Sequence, residues 1–242
     1  MKKYYAECSY LGTHYNGWQK QPNSLGIQEI IEDVFSKILS TNIKITGSSR
    51  TDAGVHAEMQ TFHFEANNLI ELNKLIYSAN RVLPKDISIK KIKEVDKNFH
   101  ARFSANFRRY EYKITTKKNP FLAETHLLVY KSLDLKKMNE AASFLIKKNL
   151  DCKVFSKEGM DVKNYFCSIK SAMWFQDGDI IIFSISSNRF LRGMVRIIVG
   201  YMLKIGEGKL SPLNFKGIVE TKLDSIRPPL APAHGLSLVY IR

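Results

Sequence analysis

Four side chains capable of chemistry lie within seven consecutive positions of the chain: Arg50, Thr51, Asp52 and His56. They supply a cation, a hydroxyl, a carboxylate and an imidazole. A charged, oriented aspartate can act in covalent catalysis, and the small residues of the surrounding run 47–57 let backbone and ligand approach closely. The same spacing also fits a hairpin turn, because Asp and Gly two residues apart are ordinary turn residues. Both interpretations remain open from spacing alone.

An arginine inside an apolar helix is the second feature. Residues 194–203 are apolar on nearly all sides, which predicts a buried helix, and Arg196 interrupts them. A buried guanidinium stays charged, so it needs an anionic partner or destabilises the fold. Asp52 is the best candidate, and such a pair would keep the carboxylate ionised. Alternatively, Arg196 reaches the surface or pairs with a structural glutamate.

Basic and aromatic residues alternate along 107–113, including Arg108, Arg109 and Tyr110. On a strand, aromatic rings can stack on a displaced base while cations hold phosphate groups. The alternative is a half-exposed strand whose aromatic row faces the core.

The charge balance favours a polyanionic partner. Lys and Arg total 37 against 23 Asp and Glu, a net charge of +14, and such proteins most often bind nucleic acid. A basic enzyme from a lysine-rich proteome is the other explanation. No basic tail carries the excess, and charge spread over a folded body suits a folded RNA.

Several other classes lack their motifs. Cys8, Cys152 and Cys167 form no C-x-x-C pair, so the sequence predicts neither a disulfide framework nor a metal site. There is no P-loop, no dinucleotide fingerprint and no zinc deaminase motif. The sequence also lacks an apolar run long enough for a membrane helix, and it lacks the apolar core of a signal peptide. We therefore expect a cytoplasmic protein without membrane association.

Hydrophobic periodicity predicts the elements that position these residues. The first half has the order β-α-β-β-α-β of a split ferredoxin-like unit; its predicted elements are 3–10, a helix capped by Ser24 and ending near 39, 42–48, 57–65, 69–82 and 87–95. The second half repeats the pattern with an added helix, opened by Ser211 and Pro212; its elements are 109–115, 134–148, 165–175, 179–186, 190–205, a short helix after 212, and 236–241.

These elements predict an α+β fold of two ferredoxin-like (RRM-like) halves, residues 1–105 and 106–242. We expect the halves to join in a mixed, mainly antiparallel sheet with helices on one side. The other side would form an RNA-binding cleft. Asp52 belongs to the first half, whereas Tyr110 and Arg196 belong to the second.

The run 50–57, Arg-Thr-Asp-Ala-Gly-Val-His-Ala, resembles the hallmark of the TruA family of tRNA pseudouridine synthases. The similarity extends in order over essentially the whole chain and is carried by five further blocks: 15–23, 99–105, 109–112, 190–196 and 231–236. Ser48-Ser49 and 150–152 depart from the family pattern, but neither segment holds a proposed catalytic residue.

The resemblance implies a catalytic role for Asp52, an active-site role for Tyr110 and pairing of Arg196 with the catalytic carboxylate. It implies that Arg50 helps to displace the target base and that Leu236 makes a small apolar contact. RNA-binding roles are also expected for Thr51, His56, Arg108 and Arg109.

The family further implies a homodimer with tRNA lying across both subunits. Its substrates are uridines of the anticodon stem-loop, at tRNA positions 38–40. The reaction is an isomerisation, so no metal or redox cofactor is expected.

The implied mechanism begins when the target uridine leaves the base stack. Tyr110 stacks on the base and is also a candidate for the proton-removing group. Asp52 attacks either the ring or the sugar, and the sequence leaves that choice open. A non-catalytic RNA-binding protein or RNA chaperone is the main rival, and it predicts binding that is indifferent to Asp52. A metal nuclease would need further acids clustered beside Asp52, and the sequence offers none there.

Overall fold

The structure is a computed structural model that describes residues 1–67, 70–157, 164–223 and 228–242. Its strands are Lys2–Tyr10 (β1), Ile45–Gly47 (β2), His56–Ala66 (β3), Ile87–Val95 (β4), Arg108–Thr115 (β5), Leu127–Leu128 (β6), Leu150–Asp151 (β7), Phe166–Cys167 (β8), Ile169–Asp177 (β9), Ile180–Ser187 (β10) and Leu236–Ile241 (β11). Its α-helices are Ile27–Leu39 (α1), Leu72–Val82 (α2), Ala101–Ser104 (α3), Leu135–Ser143 (α4), Met194–Gly206 (α5) and Pro212–Thr221 (α6). This confirms the predicted α+β class with mainly antiparallel strand pairing.

The chain divides into two compact units, residues 1–106 with 237–242, and residues 107–236. The final strand, which the sequence groups with the second half, is thus counted with the first unit. In that unit β1 pairs antiparallel with β3 on one side and with β4 on the other. Strand β2 pairs antiparallel with the end of β3, and β11 joins the beginning of β3 in parallel. The predicted β-α-β-β-α-β order is present.

Aromatic side chains form much of the core of the first unit. Phe62 and Phe64 of β3 lie on the same face, and Phe35 of α1 contacts both rings, at 6.0 and 5.2 Å between centroids. Trp18 packs on Phe62 from the loop before α1. Because alternate residues of a strand point to opposite sides, His63 projects from the other face of the sheet.

The prediction that Ser24 caps α1 is wrong. The helix begins at Ile27 after Gly26, with no side-chain cap. Its first amides donate instead to backbone carbonyls of the preceding loop, Ile27 N to Gly17 O at 3.1 Å and Gln28 N to Trp18 O at 2.9 Å. Helix amides need acceptors of some kind, and here the fold supplies them from the main chain.

In the second unit β10 pairs antiparallel with β5 and β9, and β6 pairs in parallel with β5. The added helix α6 begins as predicted, with the Ser211 side chain accepting from Asn214 N and proline at the first helical position. Helix α4 ends at Ser143, five residues before the predicted end, and α5 begins at Met194 rather than at 190. The predicted start of α2 at Leu69 lies outside the described residues.

The described residues contain neither a metal-binding cluster nor a membrane-spanning helix. Among the described residues, no group of three or more His, Cys, Asp or Glu side chains could hold a metal ion. In the same part of the chain, none of the helices combines the length and apolarity that a bilayer-spanning segment requires.

Candidate active site

Asp52 lies on a half-buried loop between β2 and β3. The loop closes on itself through a hydrogen bond from Val55 N to Asp52 O at 3.1 Å, and Gly54 takes a positive φ of 75°. Residues with a Cβ rarely adopt that conformation. The glycine therefore lets the chain reverse immediately after the aspartate.

The loop that precedes α1 holds the Asp52 loop through main-chain hydrogen bonds. Trp18 N donates to Thr51 O at 3.2 Å, and Gly54 N donates to Tyr15 O at 3.2 Å. These two bonds lie on either side of Asp52 in the sequence. They fix the backbone from which the carboxylate projects, without using the carboxylate itself.

Two glycines make this close approach sterically feasible. A Cβ on Gly17 would lie 3.1 Å from the Asp52 carbonyl carbon and closer still to Thr51 O. A Cβ on Gly12 would lie 2.6 Å from the Val55 carbonyl carbon. Because both distances are shorter than an ordinary carbon contact, a side chain at either glycine would push the two loops apart.

Side chains of the hallmark run add to this support. Thr51 is 7% exposed, and its Oγ1 shares a 2.8 Å hydrogen bond with the Tyr10 hydroxyl. His56 is 2% exposed, and its Nδ1 accepts from Gly12 N at 2.9 Å. Both residues were predicted to contact RNA, and the structure shows each of them buried and hydrogen-bonded within the first unit. Arg50, the third predicted RNA contact in the run, is exposed.

In the second unit, Arg196 lies on α5 and is half-buried. Its Nε donates to Ala231 O at 2.7 Å, and Ala231 N donates back to Arg196 O at 3.1 Å. The sequence predicted a guanidinium paired with an acid in a cleft, with a side chain that reaches the surface or pairs with a structural glutamate as the alternatives. The observed side chain is partly open, and it ties α5 to the segment that leads into β11.

Tyr112 also bonds to the segment that leads into β11. Its hydroxyl donates to Pro232 O at 2.9 Å, and Gly235 lies directly against its ring. Burial raises the pKa of Tyr112 well above that of an ordinary phenol, and the nearby positive charge of Arg196 opposes the increase. Tyr112 therefore remains a neutral hydrogen-bond donor, a role that the sequence analysis did not assign.

Tyr110 lies two residues earlier on β5, on the same face as Tyr112. It is buried, and its ring meets Phe190 edge to face at 5.2 Å between centroids. The aromatic row of β5 thus points inward, as the simpler interpretation of the alternating segment predicted. An aromatic ring in this position has a fixed orientation.

Of the remaining predicted residues, Arg108 and Arg109 directly precede Tyr110 in the chain, and Leu236 lies far from it in the sequence. Arg108 is 8% exposed, and its Nη1 donates to Asn188 O at 2.6 Å. Arg109 is exposed, and its Nε lies 4.0 Å from Glu111 Oε1. Leu236 is buried at the start of β11.

Tyr10, Gly12 and Gly17 support the Asp52 loop, and the sequence alone assigned them no role. The sequence signals for this loop were its two glycines and tryptophan and the family-like block 15–23, which contains Gly17.

Comparison with known proteins gives a consistent result over the whole chain. A family model described as tRNA pseudouridine synthase matches residues 6–104 and 149–242, which include Asp52 and Arg196 but not Tyr110. The tRNA pseudouridine synthase A of Parabacteroides distasonis is 43% identical, over 100% of this chain and 96% of its own length.

Other relatives agree with this match. The proteins of the same name from Bacteroides fragilis and Francisella tularensis subsp. holarctica are 40% and 37% identical over 100% of this chain, and the matches span 96% and 94% of their own lengths. Such identity over all of this chain and nearly all of each relative, together with the matched family model, shows that this chain belongs to the tRNA pseudouridine synthase family.

Proposed function

We propose that this protein converts uridine to pseudouridine in the anticodon stem-loop of tRNA, at positions 38–40, with Asp52 as the nucleophile. The observation that carries the proposal is the Asp52 loop, which is held by main-chain bonds on both sides in a chain that belongs to this enzyme family. Fixing a reacting group in advance lowers the entropy cost of the reaction. The net charge of +14 suits an RNA substrate.

The proposed reaction is a balanced isomerisation. The target uridine leaves the base stack, the Asp52 carboxylate forms a bond to the ring or the sugar, and the bond between N1 and the ribose C1′ breaks. The base rotates, C5 bonds to C1′, and the bond to Asp52 breaks to restore the free carboxylate. The proton on C5 is removed, and N1 gains a proton. No electrons enter or leave the uridine, so the chemistry requires no redox cofactor.

We assign Tyr110 to stacking on the displaced base and to proton removal, Arg50 to base displacement and Leu236 to an apolar contact. The exposure of Arg50 and the fixed ring of Tyr110 support these roles. Arg108 and Arg109 are assigned to the RNA phosphates. We also assign Arg196 the role of pairing with the Asp52 carboxylate.

The first experiment replaces Asp52 by Asn and measures pseudouridine in an unmodified tRNA transcript by nucleoside mass analysis. Asn has nearly the same shape but is not a nucleophile, so we expect normal tRNA affinity and no product. Asp33→Asn is the matched control, because Asp33 is a surface acid paired with Lys37 in α1. Residual turnover in the Asp52 variant would refute the nucleophile assignment, and a wild-type protein that binds tRNA without product would favour the non-catalytic RNA-binding alternative.

Three further measurements complete the proposal. Mapping of pseudouridine in the product RNA tests the positions 38–40. Sedimentation with and without tRNA tests a homodimer that binds tRNA across both subunits. Arg196→Met should lower the rate without abolishing tRNA binding, and unchanged activity would remove Arg196 from the mechanism. Since tRNA functions in the cytoplasm, the proposed activity belongs there.

A further inference from the structure

A large exposed ring stands on the short helix α3. Phe103 is 77% exposed, and one side of its ring rests on His100, with 4.4 Å between centroids and 34° between planes. The Arg102 guanidinium carbon lies 6.0 Å from the centre of the same ring. One aromatic side chain is thus supported by a second and accompanied by a cation.

The residues that support Phe103 contact His63 of strand β3. Ala101 N donates to His63 Nδ1 of β3 at 3.1 Å, and the His63 and His100 rings meet at 4.9 Å. Burial, followed by the charges of His100 and Lys3, lowers the pKa of His63 to about 4, so its ring remains a neutral acceptor at physiological pH. The backbone of α3 is therefore fixed, and Phe103 has only two side-chain torsions left to order on binding.

Isolated exposed apolar residues are common and carry no function by themselves. The surroundings of Phe103 differ from that ordinary case in charge. The chain has no acidic residue between Asp96, whose carboxylate accepts from Asn98 N at 2.8 Å, and Glu111, and this stretch contains Arg102. The nearby Glu65 is paired with Lys3 at 3.2 Å. The Arg102 guanidinium beside the ring and the net charge of +14 favour a polyanion as the partner of this surface.

We propose that Phe103, supported by His100 and flanked by Arg102, is a stacking site for an unpaired base of the RNA substrate, other than the uridine that reacts. Exposed aromatic rings hold single-stranded bases by stacking, and an adjacent guanidinium adds a cation–π or phosphate contact. The inference rests on the proposed function in that RNA is the ligand. It adds a binding residue that acts on affinity rather than on the chemical step.

The test compares Phe103→Ala, Phe103→Leu and Phe103→Trp for binding to an unmodified tRNA transcript and for single-turnover rate at saturating enzyme. Stacking is worth roughly 1–3 kcal/mol per base, so we expect the Ala and Leu variants to bind about 5- to 150-fold more weakly. The Trp variant should bind like the wild type. All three should react at the wild-type rate once the RNA is saturated.

Phe121→Ala is the matched control, because Phe121 is 95% exposed but lies on a separate short 3₁₀-helix, Pro120–Leu122. Thermal unfolding of each variant checks that the fold is retained. The proposal is overturned if Phe103→Ala binds no worse than Phe121→Ala, or if Phe103→Leu binds like the wild type. It is also overturned if the loss of affinity follows a change from dimer to monomer in sedimentation.

These outcomes separate the stacking site from the proposed function. If the wild type binds tRNA without forming pseudouridine and Phe103→Ala still weakens binding, the stacking site stands and the enzymatic assignment fails. If pseudouridine forms normally and Phe103 has no effect on affinity, only the stacking site fails.

Discussion

Replacing Gly17 by Ala tests whether the loop before α1 positions Asp52. Gly17 has a φ of 85°, and an added Cβ would lie 3.1 Å from the Asp52 carbonyl carbon and 3.2 Å from Ala53 N. Ordinary contacts of a Cβ begin near 3.4 Å, and Thr51 O lies closer still. The loop must therefore retreat by about 1 Å at Thr51 O and by a few tenths of an ångström at Asp52.

The magnitude follows from two effects of the substitution. The left-handed conformation of a residue with a Cβ costs roughly 1–2 kcal/mol of stability. Displacement of a catalytic group by ~1 Å can cost about 100-fold in rate. Because the expected shift at Asp52 is somewhat smaller, we expect a 10- to 100-fold lower rate, or about 1.4–2.7 kcal/mol in the activation barrier.

Gly208→Ala separates these effects, because Gly208 has a φ of 74° but nothing within 4 Å of an added Cβ. Both variants should lose the stability that the left-handed conformation costs, and Gly17→Ala should lose more in urea unfolding because its Cβ also clashes with the Asp52 loop. Only Gly17→Ala should slow single-turnover pseudouridine formation, with tRNA affinity unchanged. An equal rate in the two variants would show that the loop contact does not position the aspartate.

Three further predictions concern stability. Gly235→Ala should destabilise the fold by roughly 1–3 kcal/mol through overpacking, since its Cβ would lie 2.6 Å from Tyr112 Cζ. Gly217→Ala, which has open space around it in α6, should instead stabilise the helix by about 0.5–1 kcal/mol. Urea unfolding that ranks the two variants the other way would contradict the packing. Ser211→Ala should cost about 1 kcal/mol by removing the α6 cap, and an unchanged urea midpoint would show that the cap is dispensable. An unfolded histidine gains its proton near pH 6.5, but folded His63 gains it only near pH 4. Because the unfolded state binds more protons between these two values, the stability of the fold should decrease as the pH falls from 6.5 to 4. A His63→Gln variant with the same pH dependence would exclude His63 as the cause.

Local patterns determined much of the architecture. Alternating and helical periodicities placed most strands and helices within a few residues, because the side chains that a segment buries depend on its own repeat. Ser211 and Pro212 marked the start of α6 correctly, since a cap is made by neighbours in the sequence. The hallmark run around Asp52 likewise indicated the candidate nucleophile and the family.

Contacts between distant segments were decided only by the tertiary structure. Ser24 looked like a cap for α1, but carbonyls of Gly17 and Trp18 take the first amides, because the folded loop brings them closer. Thr51 and His56 have polar side chains suited to RNA, yet the fold buries both as supports for the Asp52 loop. The type of a residue determines which hydrogen bonds its side chain can make, and the folded chain determines which partner is within reach.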